Sequence, residues 1–193
     1  MMNMFSGTID FISRKSDSNL LIAVFALIYF ISQMIIGSIL HQIGTLNALA
    51  LQTTLSSDVF KEIVTGWMAS GEISIYYKHF YPDNFHPIWY SILLSLLAAR
   101  AFKINHINPK FNFVILIPFV AGLCDIFENM MHLYFLSDLQ RATPALVAVS
   151  GLATNAKWFL SLSVLGISCV LIVYWFVRTY LKKDGARDNE RKE

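Results

Sequence analysis

The sequence predicts an all-α membrane protein: a bundle of four transmembrane helices with a partly helical extracytoplasmic segment between the first two. Of the 193 residues, 55% are hydrophobic and only 15% are charged, and the mean hydropathy is +0.53. The apolar residues collect in four runs, each able to cross about 30 Å of hydrocarbon at about 1.5 Å per residue. A net charge of +2, without a basic groove, argues against nucleic acid as a partner.

The four apolar runs define the predicted spans of a single integral membrane domain, residues 1–193. The spans are residues 20–40, 85–102, 111–136 and 158–180. Arg14 and Lys15 precede the first run, as basic residues precede the core of a secretory signal. The apolar run is too long for such a core, so we interpret it as an uncleaved span.

The basic residues predict the orientation, because cytoplasmic loops carry an excess of lysine and arginine. If the N-terminus is cytoplasmic, eleven basic residues lie inside: Arg14, Lys15, Arg100, Lys103, Lys110, Arg178, Lys182, Lys183, Arg187, Arg191 and Lys192. Four lie outside: Lys61, Lys78, Arg141 and Lys157. Both termini of this multi-pass protein are therefore predicted in the cytoplasm, at the inner or plasma membrane. The tail, 181–193, is expected to be solvated, and binding to anionic lipid headgroups is the alternative.

The outer segment, residues 41–84, is too apolar for a simple loop. Helical spacing relates Val59, Phe60, Ile63, Val64, Trp67 and Met68, with Ser56, Ser57 and Asp58 as capping residues. A second short helix is predicted over 70–80, and it ends before Pro82, while Pro87 begins the second span. The pair is expected to lie on the outer membrane surface, to cover the bundle as a lid, or simply to pack at headgroup level.

The third span carries polar residues on one face. Asp125, Glu128, Asn129 and His132 follow one another at i, i+3, i+4 and i+7, and Pro118, Ala121 and Gly122 continue the same stripe. The opposite face carries Phe119, Leu123, Ile126, Phe127, Met130 and Tyr134. An isolated charge in mid-bilayer costs about 2.5–3.5 kcal/mol on insertion scales. The stripe is therefore predicted to face the interior of the bundle and the large apolar residues to face lipid.

Other polar residues are expected to join this stripe from the outer side. They are His79, Asp83, His86, Trp89, Tyr90 and Lys157, with His41, Tyr81 and Asn155 nearby. Tyr29, Gln33, Gly37 and His41 form a semi-polar stripe on the first span, predicted to face the same interior, with Gly37 allowing close helix approach. Together these groups predict a polar cavity that opens to the extracytoplasmic side, with Asp125 and Glu128 as its floor.

Three chemistries suit such a cavity. In acid–base catalysis, one carboxyl of Asp125 and Glu128 is protonated while the other is ionised, Asn129 positions the substrate, and His132 or His86 relays protons. In a divalent metal site, Glu128, His132 and Asp125 bind the ion, completed by His79, Asp83 or His86. Movement of ions or protons is the third chemistry, because intramembrane acids commonly form proton relays.

A purely structural interpretation competes with these chemistries. Asp125 or Glu128 then pairs with Lys157, and Asn129 bonds Ser161 or Gln33 across helices. A hydrogen bond of this kind contributes about 0.6–2 kcal/mol in a membrane. Burying two carboxylates in the membrane costs more than such hydrogen bonds contribute, so we favour a functional role.

The pattern Ala-Gly-x-x-Asp-x-x-Glu-Asn at 121–129, preceded by Asp83-Asn84-Phe85-His86-Pro87 and Tyr90, resembles a group of small four-span membrane proteins with an Asp-x-x-Glu-Asn motif in the third span. The resemblance covers the second and third spans and implies the four-span fold, but no activity. The layout is also similar to that of four-span sterol isomerases, at the level of the fold alone.

The leading hypothesis is a membrane enzyme that acts on a lipid or another hydrophobic substrate through Asp125, Glu128, Asn129 and His132. The residues expected to bind substrate are Asp83, His86, Tyr90, Trp89, His79, Lys157 and Gln33. The alternatives are a non-enzymatic transport, ligand-binding or sensing subunit, or a structural partner in a membrane complex. A homo-oligomer is compatible with each.

Overall fold

The computed structural model describes the backbone of residues 2–190 and the side chains of residues 6–181, and this part of the chain is helical without a strand. The elements are α1 (Met2–Lys15), α2 (Asn19–His41), α3 (Thr45–Thr53), α4 (Ser57–Ser70), α5 (Ile73–Asp83), α6 (His86–Ile104), a 3-10 helix (Pro109–Leu116), α7 (Ile117–Ser137), a 3-10 turn (Leu139–Arg141) and α8 (Pro144–Glu190). The side chains of the predicted tail beyond Leu181 lie outside the described residues.

Four segments are long and apolar enough to cross a membrane: α2, α6, Pro109–Ser137 and Pro144–Leu181. The predicted all-α class with four long apolar helices is therefore confirmed. The bounds of the first three spans agree with the prediction to within about two residues. The third begins as a 3-10 helix and becomes α-helical at Ile117.

The helix that contains the fourth predicted span begins before that span, because α8 starts at Pro144 and not near residue 158. Polar residues between these positions make the sequence resemble a loop. In the fold Thr154, Asn155 and Lys157 have partners: Asn155 Nδ2, for example, donates to the carbonyls of Thr53 (3.1 Å) and Gly151 (2.7 Å). The apolar part of α8 has 38 residues, about 57 Å at about 1.5 Å per residue, which exceeds the thickness of the hydrocarbon.

The segment between the first two spans holds three helices where the sequence predicted two. The helix α3 was missed, as was α1. The predicted start of α4 is confirmed, since the Ser56 side chain accepts from the Val59 amide at 3.5 Å. The helix ends at Gly71, whose φ of 77° suits glycine. Pro82 lies inside the last turn of α5 and does not end it.

The helix α6 lies at the centre of the molecule and packs against α1, α2, α7 and α8. At one end, an apolar core joins α4 and α5 to the ends of α7 and α8; its large side chains include Phe60, Trp67, Tyr76, Phe135 and Val147. At the other end, a second core joins α1 and α6 to the 3-10 helix and α8 through Ile12, Leu96, Ala99, Ile115 and Val164. The pair α4 and α5 therefore covers one end of the bundle.

Close helix approach occurs at Gly151 and Gly122, and not at Gly37. A Cβ on Gly151 of α8 would lie 2.1 Å from the Thr54 carbonyl oxygen, in the link between α3 and α4. A Cβ on Gly122 would lie 2.5 Å from the Ser91 hydroxyl. A Cβ on Gly37 would meet nothing within 4 Å, so the predicted packing role of Gly37 within the bundle is wrong.

Polar contacts join several elements at the end of the bundle opposite α4 and α5. Arg100 Nη1 donates to the Ser16 carbonyl at 3.0 Å, and Lys103 Nζ lies 2.5 Å from the Asp17 carboxylate. Asn105 Nδ2 donates to the Leu171 carbonyl at 2.9 Å. The turn between α1 and α2, the end of α6 and the region of α8 near Leu171 therefore meet at this end.

Candidate functional site

The polar stripe of α7 faces inward, as the spacing predicted. Asp125, Glu128, Asn129 and His132 are each at most 3% exposed, whereas Leu123 and Met130 on the opposite face are 66% and 64% exposed. The orientation follows from the amphipathic pattern, because α7 packs against α6 and α8 and its polar face is the buried one.

Lys157 of α8 lies directly against both carboxylates of this stripe. Its Nζ donates to Asp125 Oδ1 at 2.8 Å and lies 2.6 Å from Glu128 Oε2. The three side chains are buried, with exposures of 10%, 4% and 0% for Lys157, Asp125 and Glu128. The expected ion pair is therefore present with both acids. Lys157, which was counted among the outer basic residues, is buried inside the protein.

Several buried polar atoms beside this ion pair have no hydrogen-bond partner among the described residues. They include Glu128 Oε1 and both amide atoms of Asn129. The expected bond from Asn129 to Ser161 or Gln33 is not formed. A buried polar group without a partner costs about 1–3 kcal/mol, and such groups are uncommon in native proteins. Unpaired buried polar atoms are therefore concentrated beside the contacts of Lys157 with Asp125 and Glu128.

The first and second spans also reach this site. Ser32 of α2 is hydrogen-bonded to His86 Nδ1 at 2.8 Å, and Tyr29 stacks on the same imidazole with ring centroids 5.2 Å apart. Tyr90 packs against Tyr29 and its hydroxyl is close to Asp125. We use the term polar cluster for the buried set that results: Ser32, Tyr76, His79, Asp83, His86, Tyr90, Asp125, Glu128, Asn129, His132, Thr154, Lys157 and Ser161.

The outer layer of the polar cluster comes from α5. The Tyr76 hydroxyl is hydrogen-bonded to His132 Nδ1 at 2.8 Å. His79 Nδ1 donates to the Tyr76 carbonyl, and His79 Nε2 lies 3.9 Å from Asp83 Oδ2. These contacts connect His132, one helical turn beyond Glu128, to the end of α5.

Burial controls the protonation of this outer layer. Burial, with the charges of Glu128 and Asp83, raises the pKa of Tyr76 well above its ordinary value of 10.0, so the hydroxyl stays protonated. When this hydroxyl donates to His132 Nδ1, the proton of that imidazole is on Nε2. Burial lowers the pKa of His79 from 6.5, although Asp83 and the Tyr76 carbonyl oppose the shift. Neutral His79 holds its proton on Nδ1, where the Tyr76 carbonyl accepts it.

Not every predicted residue joins the polar cluster. Gln33 and His41 lie on the exposed side of α2, and Trp89 is half-buried. Tyr81 is 79% exposed. The prediction that Gln33 and Gly37 face the interior is wrong, because Tyr29, Ser32 and Ile36 form the inward side of α2.

Four members of the polar cluster were missed as functional residues: Ser32, Tyr76, Thr154 and Ser161. Tyr76 lies in the second predicted outer helix, 70–80, but no role was predicted for it, and Ser161 was expected only as a structural partner of Asn129. Thr154, beside Glu128, precedes Lys157 by three residues, so helical spacing carried a signal. This spacing was not used, because the fourth span was predicted to begin only at residue 158.

The predicted metal ligands are not assembled. Within residues 6–181, no three His, Cys, Asp or Glu side chains are arranged to hold a metal ion. The Lys157 ammonium lies between the carboxylates of Asp125 and Glu128, and the Nδ1 atom of His132 is engaged by Tyr76. Metal-assisted chemistry at Asp125, Glu128 and His132 therefore has no support in this geometry.

The polar cluster is closed and does not form the predicted open cavity. Its charged members and histidines are at most 8% exposed. Phe60 of α4 makes edge contacts with His132 and Phe135, with centroid distances of 5.3 Å to each ring. Aromatic packing beneath α4 and α5 thus separates the polar cluster from the end of the bundle.

No protein-family model, curated protein or solved structure matches this chain. The resemblance to small four-span proteins with an Asp-x-x-Glu-Asn motif stays a prediction. The chemistry of the polar cluster is therefore the basis for proposing a function.

Proposed function

We propose that this chain is a membrane enzyme in which Asp125 and Glu128 transfer protons to and from a lipid or another hydrophobic substrate. Four apolar helices compatible with an integral membrane protein support the location. The composition of the polar cluster supports the chemistry, and the absence of polar access from the covered end supports an apolar substrate.

One observation carries the proposal: the group of Lys157, Asp125 and Glu128 contains one carboxylate more than is needed to neutralise the lysine. Lys157 requires a single counter-ion, yet both Asp125 and Glu128 contact it, and Glu128 is 0% exposed. A buried charge without full compensation is strongly unfavourable, so such a cluster favours binding of one additional proton. A proton shared by two carboxylates near an ammonium is available for acid–base catalysis.

The roles follow from the contacts. Asp125 accepts the Lys157 hydrogen bond and serves as the permanent counter-ion. Glu128 keeps one oxygen, Oε1, without a hydrogen-bond partner, so it is the group that exchanges a proton with substrate. The adjacent Asn129 amide offers a free donor and a free acceptor to a substrate oxygen. His132 and Tyr76 are the proton relay on the outer side.

An apolar substrate has a short route to this site between α2 and α8. The helix α2 packs mainly on α3, α5 and α6. Tyr29 of α2 and Leu160 of α8 both pack against the apolar group of Tyr90, Leu94 and Ala121, which closes the seam between the two helices. Movement of these two side chains would open Tyr90 and Asp125 to the bilayer. We propose this seam as the substrate entrance.

The distribution of charge supports the predicted orientation, with the polar cluster nearer the extracytoplasmic side. Among the described side chains, six basic residues belong to the end opposite α4 and α5: Arg14, Lys15, Arg100, Lys103, Lys110 and Arg178. Three belong to the covered end: Lys61, Lys78 and Arg141. Under the positive-inside rule, the first end is cytoplasmic.

The proposal is tested with Glu128→Gln, produced in cells that lack the native gene. Because Asp125 remains to balance Lys157, we expect this variant to fold with a Tm close to that of the wild type. Untargeted mass spectrometry of membrane lipids and hydrophobic metabolites is then compared between the two strains. We expect at least one compound to accumulate with Glu128→Gln and its reaction product to fall by tenfold or more.

Glu62→Gln is the matched control, because it removes the same charge from the exposed side of α4. It should leave the profile unchanged. A Glu128→Gln protein that folds normally and yields a wild-type profile would refute the enzymatic proposal.

Proton transport is a second candidate, favoured by the chain of contacts from Asp83 and His79 through Tyr76 to His132. This chain leads from the covered end towards Glu128. Proteoliposomes with an internal pH dye measure the flux directly. A flux that Tyr76→Phe slows and Glu128→Gln abolishes would favour transport over catalysis.

A further inference from the structure

The helix α2 carries an exposed side-chain amide, that of Gln33. Gln33 is exposed, and no described residue hydrogen-bonds its side chain. The two serines of this helix do have partners: Ser32 donates to the Tyr29 carbonyl at 2.9 Å, and Ser38 donates to the Ile35 carbonyl at 2.8 Å. Gln33 differs from these serines in having no partner among the described residues.

The depth of Gln33 makes this arrangement unfavourable for a helix surrounded only by lipid. The helix α2 has 23 residues, and Gln33 lies about 4.5 Å along the axis from its midpoint at Phe30, at about 1.5 Å per residue. In hydrocarbon, an amide without a partner costs several kcal/mol. Transmembrane helices commonly use such side chains to bind one another.

The residues around Gln33 have the spacing of a helix–helix seam. Ala26, Phe30, Gln33 and Gly37 follow one another in steps of four, three and four residues, which is the repeat of two helices packed at about +20°. A Cβ on Gly37 would meet nothing within 4 Å, so a second helix has room to approach there. Phe30 is 61% exposed beside that space.

We propose that two copies of this chain associate through this stripe of α2, with the Gln33 amides hydrogen-bonded to each other across a two-fold axis. We choose a second copy of this chain as the partner of this α2 face, because an amide is both donor and acceptor and can therefore pair with an identical amide. A single polar residue in an apolar seam also determines the register of the pair. The proposal requires α2 to span the membrane and is independent of the chemistry at Glu128.

Cysteine cross-linking in native membranes tests the predicted face. The native Cys124 and Cys169 are first changed to alanine. Phe30→Cys or Gly37→Cys is then compared with Ile35→Cys, because Ile35 is 46% exposed but lies about 200° around the helix from Gln33. We expect oxidation to yield a covalent dimer at positions 30 and 37 and not at 35. Equal yields at all three positions would overturn the proposal.

The role of the amide is tested in liposomes by energy transfer between labelled copies as lipid dilutes the protein. Gln33→Leu should weaken the dimer about 3- to 30-fold, the range that interhelical hydrogen bonds provide, and Gln33→Asn should retain part of the affinity. The side chain is exposed, so an unchanged Tm is expected for both variants. A wild-type protein that stays monomeric in liposomes, or a Gln33→Leu dimer of unchanged affinity, would overturn the proposal.

Discussion

Two sets of three charged side chains in contact, one in the polar cluster and one at the end of the bundle opposite α4 and α5, differ in composition and in burial. In the polar cluster, two acids contact one base: Asp125 and Glu128 on Lys157, at 2.8 and 2.6 Å. At the opposite end, two bases contact one acid: Lys103 and Arg100 on Asp17, at 2.5 and 3.9 Å.

The two sets have similar shortest distances and very different exposure to solvent. The side chains of the first are at most 10% exposed, whereas Asp17 and Lys103 are 54% and 53% exposed. Water screens the second set, so its net contribution is about 0–1 kcal/mol. In the first set, loss of one partner leaves a buried charge uncompensated, which costs about 3–5 kcal/mol. The comparison shows that environment, and not distance, decides what an ion pair contributes here.

Lys157→Met is expected to give the largest effect and is the strongest test of this comparison. It leaves Asp125 and Glu128 buried without an ammonium, so we expect a loss of about 3–5 kcal/mol of stability. Thermal unfolding of the purified protein in nanodiscs measures the change. Lys103→Met is the matched control and should cost less than about 1 kcal/mol.

A triple variant sharpens the same test. Combining Lys157→Met with Asp125→Asn and Glu128→Gln removes all three charges, and we expect it to recover much of the lost stability, because the penalty comes from unpaired charge. Equal costs for Lys157→Met and Lys103→Met would show that the polar cluster is solvated.

Gly151→Ala and Gly166→Ala compare a tightly packed position and an unpacked position on the same helix, α8. In Gly151→Ala the new Cβ would lie 2.1 Å from the Thr54 carbonyl oxygen, so α8 and the α3–α4 link must separate, at a cost of about 1–3 kcal/mol. Gly166→Ala in the same helix meets nothing within 4 Å and should be neutral or stabilising by up to about 1 kcal/mol. Unfolding temperatures of the two variants measure the difference. A tolerated Gly151→Ala would mean that the link is not packed on α8.

His79→Gln tests the outer layer of the polar cluster by the pH dependence of stability. Because the pKa of His79 is lowered in the folded state, the unfolded chain binds more protons, and stability falls as the pH drops below about 6.5. The contribution of this residue is at most about 1.4 kcal/mol for each pH unit. The decrease in Tm between pH 7.5 and 5.5 should therefore be smaller in His79→Gln.

Other charged and titratable groups face His79 and remain in both proteins. They are Asp83 on the same helix, Lys157 of α8 and His132 of α7. The difference between wild type and variant isolates His79. An identical pH dependence would mean that water reaches its imidazole.

Asp17→Asn is expected to give the smallest effect. Its pairs with Lys103 and Arg100 are exposed, so the loss should be less than about 1 kcal/mol and should decrease as salt screens the wild-type pair. Unfolding at 0.05 M and 1 M NaCl measures both properties. A large effect that salt does not change would contradict the proposed difference between the two ends.

Local patterns predicted the helices of the spans and the polar face of α7 correctly, because hydropathy and the helical repeat act within one segment. The same reasoning failed where a polar residue has a partner far along the chain. Asn155 and Lys157 made the start of α8 resemble a loop, although Thr53, Asp125 and Glu128 satisfy them inside the fold.

Patterns along the chain predict the all-helical class, the four long apolar helices and the inward stripe from Asp125 to His132. Packing between distant segments is needed to see that Lys157 contacts both acids, that Tyr76 bonds His132, and that α4 and α5 close the polar cluster. The same packing turns Gln33 outward. A hydrophobic pattern specifies which residues share a face of a helix, but the rotation of that helix in the bundle depends on contacts with every neighbour.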